Sequence, residues 1–187
     1  MKSLITYFEK IGFLESDLTE FLNCVKIRKF SANDIIISHG QLENYLSFID
    51  NGIVRYYVIA NDKEITFDFA FENTFYCAYD SFYSQTKTKG YIQAITDCEM
   101  YSISYGQLQS LYKKCETAKQ LGRIATEFLL SKKVKRELYL LTKTPEERYL
   151  AMLKEQPKFI QHIPQKFLAS YIGVVPETLS RIRKRIS

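Results

Sequence analysis

IPQKFLASYIGVVPETLSRIRKRI, Ile163 to Ile186, has the spacing of two short helices joined by a tight turn. Counted from Gln165, apolar residues fall at positions 4, 8, 10, 15 and 18: Leu168, Ile172, Val174, Leu179 and Ile182. Ala169 offers a small side chain where two crossing helices approach closely. Gly173 stands where the first helix must stop and the chain can turn through positive φ. Pro176 opens the second helix at a position where a missing N–H costs nothing. In that helix Leu179 and Ile182 face inward, while Glu177, Thr178, Ser180, Arg181, Lys184 and Arg185 stay outside. The pattern is that of a helix-turn-helix, and a polar, basic outer face on its second helix suits entry into a DNA major groove. A helix end that is basic only to suit its dipole needs neither the glycine, the proline nor the small residue.

Working backwards, Thr144-Pro145-Glu146-Glu147 is a helix start. Thr144 can cap, Pro145 fits the first helical position, and Glu147 can reach back to complete a capping box. A helix over 145–155 follows, carrying Tyr149, Leu150 and Leu153, so a domain boundary falls near Leu141–Thr144. Before it, a long helix is expected from about Glu116 to Leu141. Its apolar line, Leu121, Ile124, Phe128, Val134, Leu138 and Leu141, advances by threes and fours except across Ser131. A stripe this long needs cover, from the chain's own core or from a partner helix; a dimer seam through Leu121, Ile124, Phe128 and Leu138 is the expectation.

Between Val25 and Ile103 the periodicity changes to two. The runs KIRKF, DIIIS, YLSFID, IVRYYVIA, EITFDFA, YIQAI and EMYSI read as short strands. Turn signals separate them at Ala32–Asp34, His39–Gly40, Asp50–Gly52, Asn61–Asp62 and Glu72–Asn73, which predicts an antiparallel barrel, roll or sandwich. One or two helices over residues 3–23 precede it: Leu4, Tyr7, Phe8 and Ile11 share a face, Gly12 breaks it, and Ser16 can cap a second set with Leu14, Leu18, Phe21 and Leu22. A short helix over 107–113 follows the strands.

Bulk numbers narrow the function. Of 187 residues, 46% are hydrophobic and 25% charged, as in a globular protein with a real core. No run approaches a membrane span, and the N-terminus lacks the apolar stretch of a signal peptide, so a cytoplasmic location is expected. Cys24, Cys77, Cys98 and Cys115 are scattered without metal-ligand spacing, so no metal site and no iron–sulfur cluster is expected. The net charge of +5 is divided unevenly. Residues 1–131 hold 13 Lys/Arg against 16 Asp/Glu, and residues 132–187 hold 13 against 5. A basic end joined to an acidic body is the footprint of a nucleic-acid binder. With two histidines, no Ser-His-Asp or Cys-His set and no phosphate-cradling glycine loop, an enzyme is not expected.

A roll, a long helix and a terminal helix-turn-helix, in that order, resemble the Crp/Fnr family of bacterial transcription regulators. The strings DIIISHG, FIDNGIVRYY, CEMYSISYGQLQSLY and GVVPETLSRIRKRI carry the resemblance, which covers nearly the whole chain. It implies an α+β protein: an N-terminal antiparallel β-roll like a cyclic nucleotide-binding domain (a double-stranded β-helix), a long dimerisation helix, and a C-terminal helical helix-turn-helix domain. The corresponding segments are an effector-sensing roll with its helices over 1–115, a connecting helix over 116–143 and a DNA-binding domain over 144–187. The implied partners are double-stranded DNA, a second copy of the chain, RNA polymerase and an unidentified small-molecule effector.

Residue by residue, the family's base-reading Glu and Arg fall on Glu177 and Arg181. A carboxylate can accept from a cytosine amino group, and an arginine can grip guanine in two places. Thr178, Ser180 and Lys184 resemble phosphate contacts, and Gln165 and Lys166 open the first helix where the backbone can be met. Pro176 replaces a further base-reading Arg, so the operator need not match the best-known one.

Two departures are visible. The sequence ends at Ser187 without the β-hairpin wing the family usually adds, which leads us to expect weaker non-specific binding. The second is in the ligand pocket. Members that bind cyclic AMP carry a Gly-Glu pair and an Arg-Ser pair, which here fall on Cys77–Ala78 and Thr88–Lys89. Both the carboxylate and the guanidinium are missing; Lys87 or Lys89 supplies only a point charge. Cyclic AMP is therefore not expected in the usual mode, and no cofactor is identified. An effector pocket, if one exists, involves Phe69, Cys77, Ala78, Tyr79, Lys87, Thr88 and Lys89, although the aromatic richness of the roll is equally that of a barrel core. Haem-binding relatives use a histidine of the roll, whereas His39 reads as a turn residue. The competing function is a ligand-binding signalling roll whose C-terminal helices do not bind DNA specifically.

Overall fold

The computed structural model describes residues 1–13 and 15–186, with Glu15, Ser16 and Leu121 described by backbone alone. The apolar position expected at Leu14 and the cap expected from Ser16 lie outside that description. Helices α1 (Lys2–Lys10) and α2 (Glu15–Cys24) come first, and Leu4 and Phe8 of α1 are buried. Eight strands follow: β1 (Lys26–Phe30), β2 (Ile35–Ile37), β3 (Tyr45–Asn51), β4 (Val54–Ala60), β5 (Lys63–Ala70), β6 (Phe75–Tyr76), β7 (Tyr91–Ala94) and β8 (Cys98–Ser104). They form two four-stranded sheets, ordered β1-β8-β3-β6 and β2-β7-β4-β5. The central strand β8 sits antiparallel between β1 and β3, so that Tyr101 is opposite both Ile27 and Phe48.

The turn signals have a common physical cause. Asn33, Asn61, Asp62 and Asn73, with Gly40 and Gly52, all adopt positive φ, which asparagine, aspartate and glycine tolerate best. Asn61 and Asp62 are adjacent at φ 51° and 57°, as a two-residue primed hairpin turn demands. At Gly52 (φ 107°) an added Cβ would lie 2.5 Å from both the Asp97 carbonyl oxygen and Cys98 Sγ. Only glycine fits there.

The remaining helices are α3 (Tyr79–Phe82), α4 (Tyr105–Lys114), α5 (Glu116–Thr142), α6 (Pro145–Glu155), α7 (Pro157–His162), α8 (Gln165–Ile172) and α9 (Pro176–Ile186). The capping box at Thr144 and Glu147 forms as the sequence predicts, with Pro145 opening α6. A second box precedes α4: Ser104 accepts from the Gln107 N–H, so this helix begins at Tyr105 rather than at 107. Strand β6 and helices α3 and α7 were not anticipated. β6 and α3 are too short for a periodic signal, and α7 is a six-residue helix that Pro157 opens.

The chain forms two compact units. The first comprises Met1–Tyr56 and Phe69–Ala125. Among the described residues, one apolar cluster of its interior lies around Ile37, Ile49, Val54, Ile92 and Met100, and another around Leu4, Phe8, Phe48, Phe82 and Ile103. Rings from α1 and from the strands meet edge to face in the latter, with Tyr7 and Phe48 at 5.3 Å and Phe48 and Phe75 at 5.1 Å. The second unit comprises Tyr57–Asp68 and Thr126–Ser187. Tyr149, Met152, Phe159, Ile163, Leu168, Ala169, Ile172, Leu179 and Ile182 are among its buried apolar residues. Within it the 57–68 hairpin is pinned to α8: Ser170 Oγ accepts from the Thr66 N–H at 2.8 Å and donates to the Glu64 carbonyl at 3.1 Å. No helix among the described residues is long and apolar enough to cross a membrane.

Candidate nucleic-acid interface

Helix α8 ends as its glycine requires. Gly173 takes φ 87°, its N–H bonds the Ser170 carbonyl at 3.1 Å, and the Val174 N–H bonds the Ala169 carbonyl at 2.9 Å. These are the paired bonds of a Schellman turn, which satisfy carbonyls that a helix end otherwise leaves open. Ala169 is fully buried, which lets α8 and α9 approach closely, and Leu168, Ile172, Leu179 and Ile182 are buried around it. Val174 is half-buried. On the other side of α9, Glu177, Arg181 and Lys184 are exposed, and Thr178 and Ser180 are half-buried. Glu177 and Arg181 are four residues apart and so share one helical face. Gln165 and Lys166 are exposed at the start of α8, where Gln165 Nε2 reaches the Pro176 carbonyl at 3.5 Å and Lys166 Nζ lies 4.7 Å from the Phe167 ring centre. The structure thus brings the seven nominated positions onto two adjacent helix starts and one outward face. What it can do chemically is present a carboxylate, a guanidinium and two ammoniums to a polyanion.

The stripe on α5 is exposed: Ile124 by 52%, Phe128 by 74%, Leu138 by 53% and Leu141 by 75%. The Leu121 side chain lies outside the described residues. An α-helix with this much apolar surface in water is an incomplete structure.

The nominated effector positions are differently placed. Phe69, Cys77, Ala78 and Thr88 are buried, with Cys77 in the core beside Phe82 and Phe48; Tyr79 is half-buried, and Lys87 and Lys89 are exposed. Thr88 and Lys89 are held by a residue the sequence reading missed. The Asp80 carboxylate accepts from Thr88 Oγ1 at 3.1 Å and from the Lys89 N–H at 3.0 Å. Glu43, also unforeseen and only 5% exposed, accepts from the Ala78 N–H at 3.3 Å and the Tyr45 N–H at 3.0 Å. Burial raises its carboxyl above the usual range against the pull of those amides. No short motif could have revealed either, because both partners are brought together by the roll. Burial likewise pushes the thiols of Cys77, Cys98 and Cys115 up, which makes them poor nucleophiles. His39 lies in its turn with its ring stacked at 6.3 Å on Tyr91.

Residues 27–115 match the family described as the cyclic nucleotide-binding domain, so the roll is a domain of that class. No curated protein matches the sequence. Among solved structures, FixK2 from Bradyrhizobium japonicum superposes with a TM-score of 0.77 at 17% identity, over 87% of this chain and 84% of that one. The c-di-GMP-responsive global regulator CLP from Xanthomonas campestris gives 0.69 at 19% identity, over 91% and 90%. A mutant of CooA from Carboxydothermus hydrogenoformans gives 0.69 at 16% identity, over 94% and 79%. The chain therefore has a cyclic nucleotide-binding domain within the fold of Crp/Fnr transcription regulators, the architecture its sequence pattern resembles.

Proposed function

We propose that this chain is a sequence-specific DNA-binding transcription regulator that acts as a homodimer. The observation that carries the reading is the outward face of α9, where Glu177 and Arg181 stand together on a helix whose other face is buried against α8. Two such helices in a dimer would enter successive major grooves about 34–36 Å apart on a pseudo-palindromic operator. The exposed apolar row of α5 supports the dimer, since a second copy would cover it. Thr178, Ser180, Lys184, Gln165 and Lys166 would set register on the phosphates while Glu177 and Arg181 read bases. The protein would work in the cytoplasm with RNA polymerase. Cyclic AMP is not its effector in the usual mode: the charged pair that mode needs is absent, and the Lys89 N–H is already bonded to Asp80.

The test is selection of bound duplexes from a random pool at two salt concentrations. An enriched palindrome that Arg181→Ala no longer distinguishes from scrambled duplex is the expected result. Binding that enriches nothing and fades smoothly with salt would overturn it in favour of non-specific cationic contact.

A further inference from the structure

A cleft in the second unit is lined by α5, α6, Tyr171 of α8 and Asp68 of β5. Five cations face it, Lys132, Lys133, Lys135, Arg136 and Arg148, against two carboxylates, Asp68 and Glu155. Both carboxylates are already engaged by lysines. Asp68 takes Lys132 at 3.1 Å and Lys133 at 2.7 Å, and Glu155 takes Lys135 at 3.1 Å and the Tyr139 hydroxyl at 2.8 Å. Among the described residues, the two arginines bond main-chain carbonyls and no side-chain acceptor. Arg136 stacks 3.8 Å from the Tyr171 ring centre and donates to the Tyr171 carbonyl, while Arg148 donates to the Leu140 and Lys143 carbonyls at 3.2 and 2.8 Å. In each the Nε–H is buried and, among the described residues, has no acceptor.

Each guanidinium keeps a buried Nε–H without an acceptor among the described residues, and both carboxylates of the cleft are taken by lysines, so the cationic set is unfinished. Desolvation lowers the Arg136 pKa, and Tyr171 and Asp68 offset it only in part, with the Arg148 charge acting against them. The chemistry that completes the set is a group with several anionic oxygens able to accept from more than one N–H edge. We propose that this cleft binds a phosphate group through Arg136 and Arg148, separately from the outward face of α9. An Arg148 nitrogen lies 3.5 Å from where a Cβ on Gly173 would stand, so an occupied cleft would abut the turn between α8 and α9. The phosphate comes either from a small phosphorylated ligand or from a nucleic-acid backbone.

Inorganic phosphate is the probe, added to the full chain at constant ionic strength with chloride as reference. A saturable rise in Tm and a saturable broadening of the phosphorus resonance at one site per chain are expected. Arg148→Lys and Arg136→Lys, which keep the charge but lose the planar fork, should weaken both at least tenfold. Displacement of phosphate by duplex DNA, with a shallower salt slope in Arg148→Lys, identifies a backbone contact; phosphate retained beside bound duplex identifies a small-ligand site. Failure of the wild-type chain to broaden the resonance overturns the proposal even if neither variant folds. So does a Tm response that chloride reproduces or that folded variants retain. Because the probe needs no DNA, failure of the α9 reading leaves this result interpretable.

Discussion

Gly52 shows how one missing side chain fixes a corner of the roll. Its φ of 107° and the 2.5 Å approach of Asp97 and Cys98 to a would-be Cβ act together. Gly52→Ala should cost at least the upper end of the about 1–3 kcal/mol typical of such backbone strain, read as a shift in urea midpoint without a change in slope. A variant as stable as the wild type would mean that the turn relaxes freely. Gly52 was legible in the sequence because Asp50-Asn51-Gly52 is a turn signal whatever surrounds it. Asp80 and Glu43 were not, since an acidic residue in a loop says nothing of which amide it will meet. The bonds that Asp80 accepts from Thr88 and Lys89 also change the meaning of the nominated pocket, because an internal carboxylate already holds the Lys89 N–H.

Among the elements, α5 has two roles readable from its surface. Lys132 and Lys133 point to Asp68, whereas Phe128, Leu138 and Leu141 point to water. Phe128→Glu therefore removes little contact within the chain, since Phe128 is 74% exposed. It should leave unfolding within about 0.5 kcal/mol of the wild type, measured at a concentration where both are monomeric. The same change should raise the dimer dissociation constant at least a hundredfold in sedimentation equilibrium. An unchanged constant would place the seam elsewhere. The helix was legible because threes and fours recur over its length; which side finds cover was not, since periodicity marks a face without saying what lies against it. The hairpin 57–68 makes the same point: its turn was plain, but its bonds to Ser170 join residues 104 and 106 apart in sequence.

For the molecule as a whole, charge is distributed by sequence but weighted by burial. Burial alone would raise the Asp68 carboxyl, yet the Lys132 and Lys133 ammoniums outweigh it and hold the group below its ordinary value. A depressed folded-state pKa adds stability that is complete above the unfolded value near about 3.9 and disappears as pH falls through the lower folded value. The wild type should therefore lose stability faster than Asp68→Asn as pH drops from about 5 towards 3, measured by urea unfolding at each pH. Parallel losses would show that the ion pairs contribute nothing. Lys132 and Lys133 are each more than a third exposed, so the effect should shrink with added salt.

Local chemistry determined the helix-turn-helix, the capping boxes, the strands and the turns, because each depends on residues within a few positions of one another. The glycine at 173, the proline at 176 and the asparagines at positive φ act through backbone geometry that no distant partner has to supply. Tertiary structure alone decided how charge is partnered: buried Glu43 against the Ala78 N–H, exposed Asp80 against Thr88 and Lys89, buried Asp68 between two lysines, and Arg136 and Arg148 facing one cleft. Those arrangements depend on partners from separate elements, which meet only when the chain has closed on itself.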